Sequence, residues 1–500
     1  MNLASITDQH PADAPAILAP GRSLSYGELR SEVSALRGGL SDAGVRPGDR
    51  VALALSNDWP FAVAYLAVLG VGAVAVPIEP GLPAPAIEAE LGAVGVSAAF
   101  VGPQAAEAFS VSDRRDGYRL VVAAPGAESL KGATPMSELS SGAAAELADK
   151  APGDPAVLIF TAGTAGSPKA AVLTHGSLRA NLDQVQAHPG RALLPGDVSY
   201  GVLPLFHVFG LNVVLGLSLL AGASVLMVER FHADAALDEI PARGVSLLAG
   251  APPMFAALTT AGADRPRALD GVRLAVSGAS ALSAEIAQAF EARFGLPLWQ
   301  GYGLTEASPV VTSSVIGGVA KPGSVGVPVP GVEVKIIDED GEDAFVGDSG
   351  ELWVKGPNVF GGYWEDTEAT AAVLSQDGWL RTGDVAVADD DGYLYLVDRS
   401  KDLIIVSGFN VFPAEVEDTL GENPDVADVA VIGVSDPETG EAVEAFVVPA
   451  PGRSPDEEGL REWCRGHLAR YKCPARVHIV DSLPRGLGGK LLRRALRDQA

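Results

Sequence analysis

Cysteine is nearly absent from this chain. Cys464 and Cys473 are the only two in 500 residues, nine positions apart. They make neither a disulfide framework nor a Cys-x-x-Cys metal motif. Positive charge is also short: 36 Lys and Arg stand against 63 Asp and Glu, a formal charge of −27. That balance argues against nucleic acid or an anionic membrane surface as the main partner. No long run fits a membrane span. The longest apolar stretch, "FAVAYLAVLGVGAVAVPIEP", is rich in Ala and Gly and breaks at Pro77. It reads as a buried helix followed by a strand. The N-terminal stretch has no basic region followed by an apolar one, so no signal peptide is read and a cytoplasmic location is expected.

What is present is a globular composition, 47% apolar and 20% charged. The length suggests more than one domain. The acidity is uneven. Residues 459–500 carry ten Lys or Arg against three acids. This basic tail is either a solvated helical face or a surface that meets a polyanion.

Apolar strands at 156–160, 272–276 and 296–299 alternate with stretches of helical period, which implies parallel α/β layers. Ser283 before "AEIAQAFEARFG" marks a helix start and Gly295 its stop. Residues 122–155, rich in Ala, Gly, Ser and Pro, read as a surface connection. From about 325 the runs become short and β-like. After Arg399 comes a compact α+β unit with a β pair, a helix from Pro413, two strands, a helix near 455–468 and the basic tail.

The stretch "LIFTAGTAGSPKAAVLTH", Leu158 to His175, is a strand, a small-residue loop ending in Pro168-Lys169, and a second apolar run. A Gly/Thr loop ending in lysine suggests a phosphate cradle, although it lacks the Walker spacing. It is followed by "QGYGLTE" (300–306), "GWLRTGD" (378–384), "DRSKDLIIVSGFNVFPAEVE" (398–417) and "LPRGLGGKLLRR" (483–494). In this order, with "LSYGEL" (24–29) and "PLFHVFGLN" (204–212), the set resembles the adenylate-forming superfamily. "VSGFNVFPAEVE" is especially similar to bacterial long-chain fatty acyl-CoA synthetases.

The resemblance implies a large N-terminal adenylate-forming domain over 1–398, built of layered α/β subdomains plus a β-barrel-like one. It implies a hinge at 399–402, carried by Lys401 and Asp402, and a small mobile α+β C-terminal domain over 403–500. It also implies ATP, Mg²⁺ and coenzyme A. Two anions must meet when a carboxylate attacks the α-phosphate. Backbone N–H groups of Thr161, Ala162, Gly163, Thr164, Ala165 and Gly166, with Lys169, are suited to hold the phosphates. Glu306 is the expected hard-oxygen metal ligand, assisted by Thr161. Thr305 contacts phosphate by resemblance. Tyr302 offers a face to adenine beside Gly278, Ala279 and Ser280, with Gly301 and Gly303 in the same strand and turn. Asp384 accepts from the ribose hydroxyls and Arg399 lies near the sugar. Lys490 is expected to offset charge growing at the α-phosphate. Ser407, Gly408 and Phe409 are expected to line the channel for the pantetheine thiol.

Amino-acid-activating relatives usually place Asp where this chain has His207, as acyl and aryl synthetases do; the resemblance implies that His207 gates the thiol channel or orients the carboxylate, with a packed core histidine as the alternative. Glycine at 301 leaves room for a tail, and Val208, Phe209, Leu211, Val213 and Val214 are apolar. The favoured substrate is therefore a medium- or long-chain fatty acid activated to acyl-AMP and passed to CoA, with an aryl acid second. Two rivals remain. One is an acyl-AMP ligase that loads an acyl carrier protein. The other is a degenerate member that binds nucleotide or acyl chains without turnover, suggested only by the alanines of the loop, where the family form is close to T-S-G-T-T-G-x-P-K-G. A monomer or homodimer is expected, with no nucleic acid and no transmembrane segment.

Overall fold

The computed structural model describes residues 1–111, 117–141, 143–161, 169–187, 192–280, 282–338, 341–399, 404–411, 413–484 and 496–497. The chain is a mixed α/β protein with a large N-terminal domain and a smaller C-terminal one. One compact unit comprises 1–80, 94–159 and 170–398; the other comprises 81–93, 160–169 and 399–500.

The long apolar stretch is a helix, Trp59–Gly70, and then a strand, Val74–Pro77. Every residue from Pro60 to Gly70 is buried, which accounts for the lack of a polar face. Among the described residues no helix is long and apolar enough to cross a membrane. The strand joins a seven-stranded sheet ordered Thr134–Pro135, Leu120–Ala123, Ala98–Val101, Arg50–Ala54, Val74–Pro77, Pro155–Thr161, Lys169–Thr174. Residues 122–155 are therefore not a bare connection. Val122 pairs with Thr134 in parallel, and a one-turn helix, Met136–Leu139, buries Met136. Their small-residue composition hides two short strands.

The stretch 300–306 continues from a strand of a nine-stranded sheet. Its order is Val327–Pro328, Val310–Ser313, Leu298–Gly303, Leu274–Ser277, Leu247–Gly250, Val198–Gly201, Ser224–Met227, Pro15–Ala19, Arg22–Ser25. The pairings from Leu298–Gly303 through to Pro15–Ala19 are parallel, and those at both edges antiparallel. In such sheets ligands collect beyond the carboxyl ends of the strands. There Leu274–Ser277 runs into residues 278–280, and Leu298–Gly303 into the turn holding Glu306. The helix Ala284–Phe294 starts where Ser283 caps it, accepting from the Ile286 N–H, and stops at Gly295, whose φ is +67°.

The short β runs form an antiparallel sheet ordered Glu333–Ile337, Gly350–Lys355, Leu380–Ala388, Leu394–Arg399. In the smaller unit the order is Phe409–Val411, Ile404–Val406, Gly440–Pro449, Val426–Asp436, with the helices Pro413–Gly421 and Glu457–Arg465. A further strand, Arg476–Ile479, pairs in parallel with Gly440–Pro449 inside the basic tail. Four alternating residues are too short a signal to separate that strand from the charged segment around it.

Candidate active site

The stretch "GYGLTEASP" is held in shape by the backbone. A Cβ on Gly303 would stand 2.2 Å from the Pro309 carbonyl oxygen, so only glycine allows the turn to close. The Leu304 N–H donates to that same oxygen at 3.1 Å. Buried amides fix residues 307–310. Asn358 donates to the Ala307 carbonyl at 2.9 Å, Asn212 to the Ser308 carbonyl at 2.7 Å, and Asn181 to the Val310 carbonyl at 2.8 Å. The Phe360 N–H donates to the Glu306 carbonyl at 2.8 Å. Glu306 therefore projects from a turn with little freedom to move.

Its carboxylate is half-buried and accepts from the Tyr363 hydroxyl at Oε1, 2.7 Å away. Burial pushes the Glu306 carboxyl above its usual range, the charge of Asp384 adds to that, and the Tyr363 bond pulls it back. Burial and the Glu306 charge together raise the Tyr363 phenol. Tyr302, on the strand before the turn, donates its hydroxyl to Asp384 Oδ2 at 2.6 Å. Asp384 lies in the strand Leu380–Ala388, where the Thr382 hydroxyl accepts from the Asp384 N–H at 3.1 Å. Two expected nucleotide residues, 82 positions apart, are thus joined directly. Asp384 lies close enough for its charge to be felt at Glu306.

Gly278 lies under an aromatic ring. Its Cβ position is 3.0 and 3.1 Å from two ring carbons of Phe209 and 3.9 Å from the Gly301 carbonyl. Ala279 adopts φ +69°, a left-handed conformation that alanine enters only when its surroundings enforce it. Phe209 opens a π-helix, Phe209–Gly216, a wound form that recurs at functional sites. Gly210 lets it approach the chain, since a Cβ there would meet the Pro204 carbonyl at 2.2 Å. His207 lies just before this helix, half-buried, with its ring 4.8 Å from that of Phe206. Val208 and Leu211 are buried. Gly301 does not simply open space: its Cβ position faces the Thr312 carbonyl of the paired strand at 3.0 Å. A side chain there asks that strand to give by a few tenths of an ångström.

In the smaller unit, Val406 pairs with Phe409 and leaves Ser407-Gly408 as a two-residue turn. Their φ values are +52° and +87°, the pattern of a type I′ turn. Phe409 stacks on Tyr471, with ring centroids 4.4 Å apart. The Thr161 hydroxyl reaches the Lys169 carbonyl at 3.4 Å. Ala162, Gly163, Thr164, Ala165, Gly166, Lys401, Asp402 and Lys490 lie outside the described residues, and of Arg399 only the backbone is described. Sequence reasoning missed Tyr363, Asn358, Asn212 and Asn181. Tyr363 carries one faint signal, an aromatic directly after Gly361-Gly362.

Residues 4–364 match the family of AMP-binding enzymes, and residues 415–490 match the AMP-binding enzyme C-terminal domain. A feruloyl-CoA synthase from an Amycolatopsis species is 39% identical over 487 residues, which cover 97% of this chain and 95% of that protein. A long-chain-fatty-acid–CoA ligase from Yersinia pestis is 35% identical over 518 residues, covering 98% and 92%. Among solved structures, the amide bond synthetase McbA from Marinactinospora thermotolerans aligns with a TM-score of 0.89 at 32% identity, covering 100% of this chain and 99% of that one.

Proposed function

The chain belongs to the family of AMP-binding enzymes, and on that premise we propose that it activates an apolar carboxylic acid with ATP and transfers the acyl group to coenzyme A. In the first step a carboxylate oxygen attacks the α-phosphorus, acyl-AMP forms and pyrophosphate leaves. In the second the thiol sulfur attacks the acyl carbon, the thioester forms and AMP leaves. The observation that carries the reading is that residues 302–306 present a ring bonded to Asp384 and a carboxylate bonded to Tyr363.

In this reading the Tyr302 ring and residues 278–280 receive adenine, and Asp384 accepts from the ribose hydroxyls, where charge strengthens each bond. Phosphates fall to the loop before Lys169. Lys490 offsets charge at the α-phosphate in the first step, and the turn at 407–409 admits the thiol in the second. The residues fit a magnesium ion. Glu306 is a hard-oxygen donor held by a hydrogen bond. Among the described residues no group of three or more His, Cys, Asp or Glu is placed to cage a metal. Such a donor set suits an ion held mainly by phosphate oxygens and water. When bound, magnesium neutralises phosphate charge.

The acid lies along Phe209–Gly216, whose side chains are apolar apart from Asn212. A medium- or long-chain fatty acid is the first reading. An aryl acid is the second, favoured by the Phe209 ring against Gly278, which gives a flat apolar wall, and by the likeness to a feruloyl-CoA synthase. Relative kcat/KM for hexanoate, palmitate, 4-coumarate and ferulate separates the two. A preference for palmitate over ferulate supports the first, and the reverse supports the second. Running the same acids with a holo acyl carrier protein or an amine in place of CoA tests the acceptor.

A further inference from the structure

We propose that Tyr363 is the positioning residue that sets Glu306 for magnesium-bound nucleotide, an inference that rests on reading Glu306 as the metal ligand. The two are 57 positions apart, yet the Tyr363 hydroxyl donates to Glu306 Oε1 at 2.7 Å. Neither end of this bond is loose. The Glu306 main chain is tied to Phe360. The Phe360 ring meets that of Tyr363 edge-on at 5.1 Å. The Tyr363 N–H donates to the Thr370 hydroxyl at 2.8 Å.

The flanks of Tyr363 are clamped to the strand that leaves the Gly/Ala/Thr-rich stretch. The Gly361 N–H donates to the Val172 carbonyl at 2.8 Å, and the Val172 N–H to the Gly362 carbonyl at 2.9 Å. The Trp364 N–H donates to the Ala170 carbonyl at 2.8 Å. Tyr363 thus sits on a segment whose main chain is bonded both to residues 170–172 and, through Phe360, to the Glu306 turn. A glutamate has three rotatable bonds, and ordering it at the moment a cation binds costs affinity. A phenol fixed by its own backbone selects one arrangement in advance. The same position needs a hydroxyl, not only a ring. Phenylalanine preserves the packing against Phe360 and loses the bond.

The test is isothermal titration of the whole chain, without acid substrate, by ATP at saturating Mg²⁺ and separately by AMP in EDTA. Three proteins are compared: wild type, Tyr363→Phe and Glu306→Gln. For Tyr363→Phe the expected result is a three- to tenfold rise in Kd for Mg²⁺·ATP, about the net value of one ordinary hydrogen bond, with the AMP Kd within about twofold of wild type. An unchanged Kd for Mg²⁺·ATP overturns the inference. So does an equal weakening of AMP and Mg²⁺·ATP, which marks a general structural role. If Glu306→Gln weakens Mg²⁺·ATP and Tyr363→Phe does not, only the inference about Tyr363 falls. If Glu306→Gln leaves Mg²⁺·ATP unaffected, the reading of Glu306 as metal ligand falls with it.

Discussion

The hydroxyl of Tyr302 donates to Asp384 Oδ2 at 2.6 Å, joining the strand Leu298–Gly303 to the strand Leu380–Ala388, which belong to different sheets. The bond fixes an aromatic face relative to a carboxylate. If the face takes adenine and the carboxylate takes ribose, the two substitutions differ in cost. Tyr302→Phe keeps the ring and loses a brace, so KM for ATP should rise by about threefold to tenfold. Asp384→Ala removes charged acceptors for two hydroxyls, so the rise should be about a hundredfold or more. Initial rates of acyl-AMP formation against ATP concentration check the order; equal effects would contradict it.

Gly303→Ala should be among the most damaging single-methyl changes in the site. Its Cβ would meet a backbone oxygen at 2.2 Å, and backbone cannot swing aside as a side chain can. The turn that carries Glu306 must open. The expected outcome is at least about a hundredfold loss in kcat/KM for acyl-AMP formation, about 2.7 kcal/mol. Thioester formation from supplied acyl-AMP should fall less. The two half-reactions assayed separately give the answer.

Phe209→Ala should shift acid preference towards bulkier or longer acids. The ring fills the space a Gly278 side chain would take, so its removal opens space beside that glycine. The ratio of kcat/KM for palmitate to that for hexanoate should rise severalfold. Gly301 is the poorer probe, because its Cβ position points at the Thr312 carbonyl and a large residue there disturbs the sheet before it reaches an acid.

Much of the fold is legible where local rules dominate. Ser283 and Gly295 bound their helix because a cap and a left-handed stop are local chemistry. Gly408 stands in a two-residue turn, with a φ of +87° that glycine tolerates best. Residues whose role depends on distant pairing are not legible. Tyr363 meets Glu306 only because Gly361 and Gly362 bond to Val172, 189 and 190 positions away. Asn358, Asn212 and Asn181 look like ordinary polar residues until the turn at 307–310 brings carbonyls to them. The direction of Gly301 is set by the pleat of its strand, which composition does not reveal. Parallel pairing of Arg476–Ile479 is hidden for the same reason: its partner lies across an intervening helix.

Acid stability should depend on His175. The ring is fully buried, and Nδ1 accepts from the Leu3 N–H at 3.1 Å, which places the proton of the neutral ring on Nε2. Burial pushes its pKa down to about 4; the Lys150 ammonium and the N-terminus lower it further, and Asp154 opposes. The folded value lies below the unfolded one. The stabilisation is therefore complete above about pH 6.5 and is lost as pH falls through about 4, with an upper limit of about 3 kcal/mol. His175→Gln does not titrate. Urea unfolding at pH 7 and pH 4 should show wild type losing more stability than the variant across that interval. Parallel losses would remove His175 from the acid limb.

The most direct measurement is ATP consumption by the purified chain with Mg²⁺, CoA and each acid of the panel, following pyrophosphate, AMP and acyl-CoA together. The account predicts acid-dependent pyrophosphate release, with AMP and acyl-CoA formed in equal amounts for each ATP used. Omitting CoA should leave about one pyrophosphate per active site. Release that no acid stimulates, or acid-stimulated release that never yields a thioester with CoA, would contradict it.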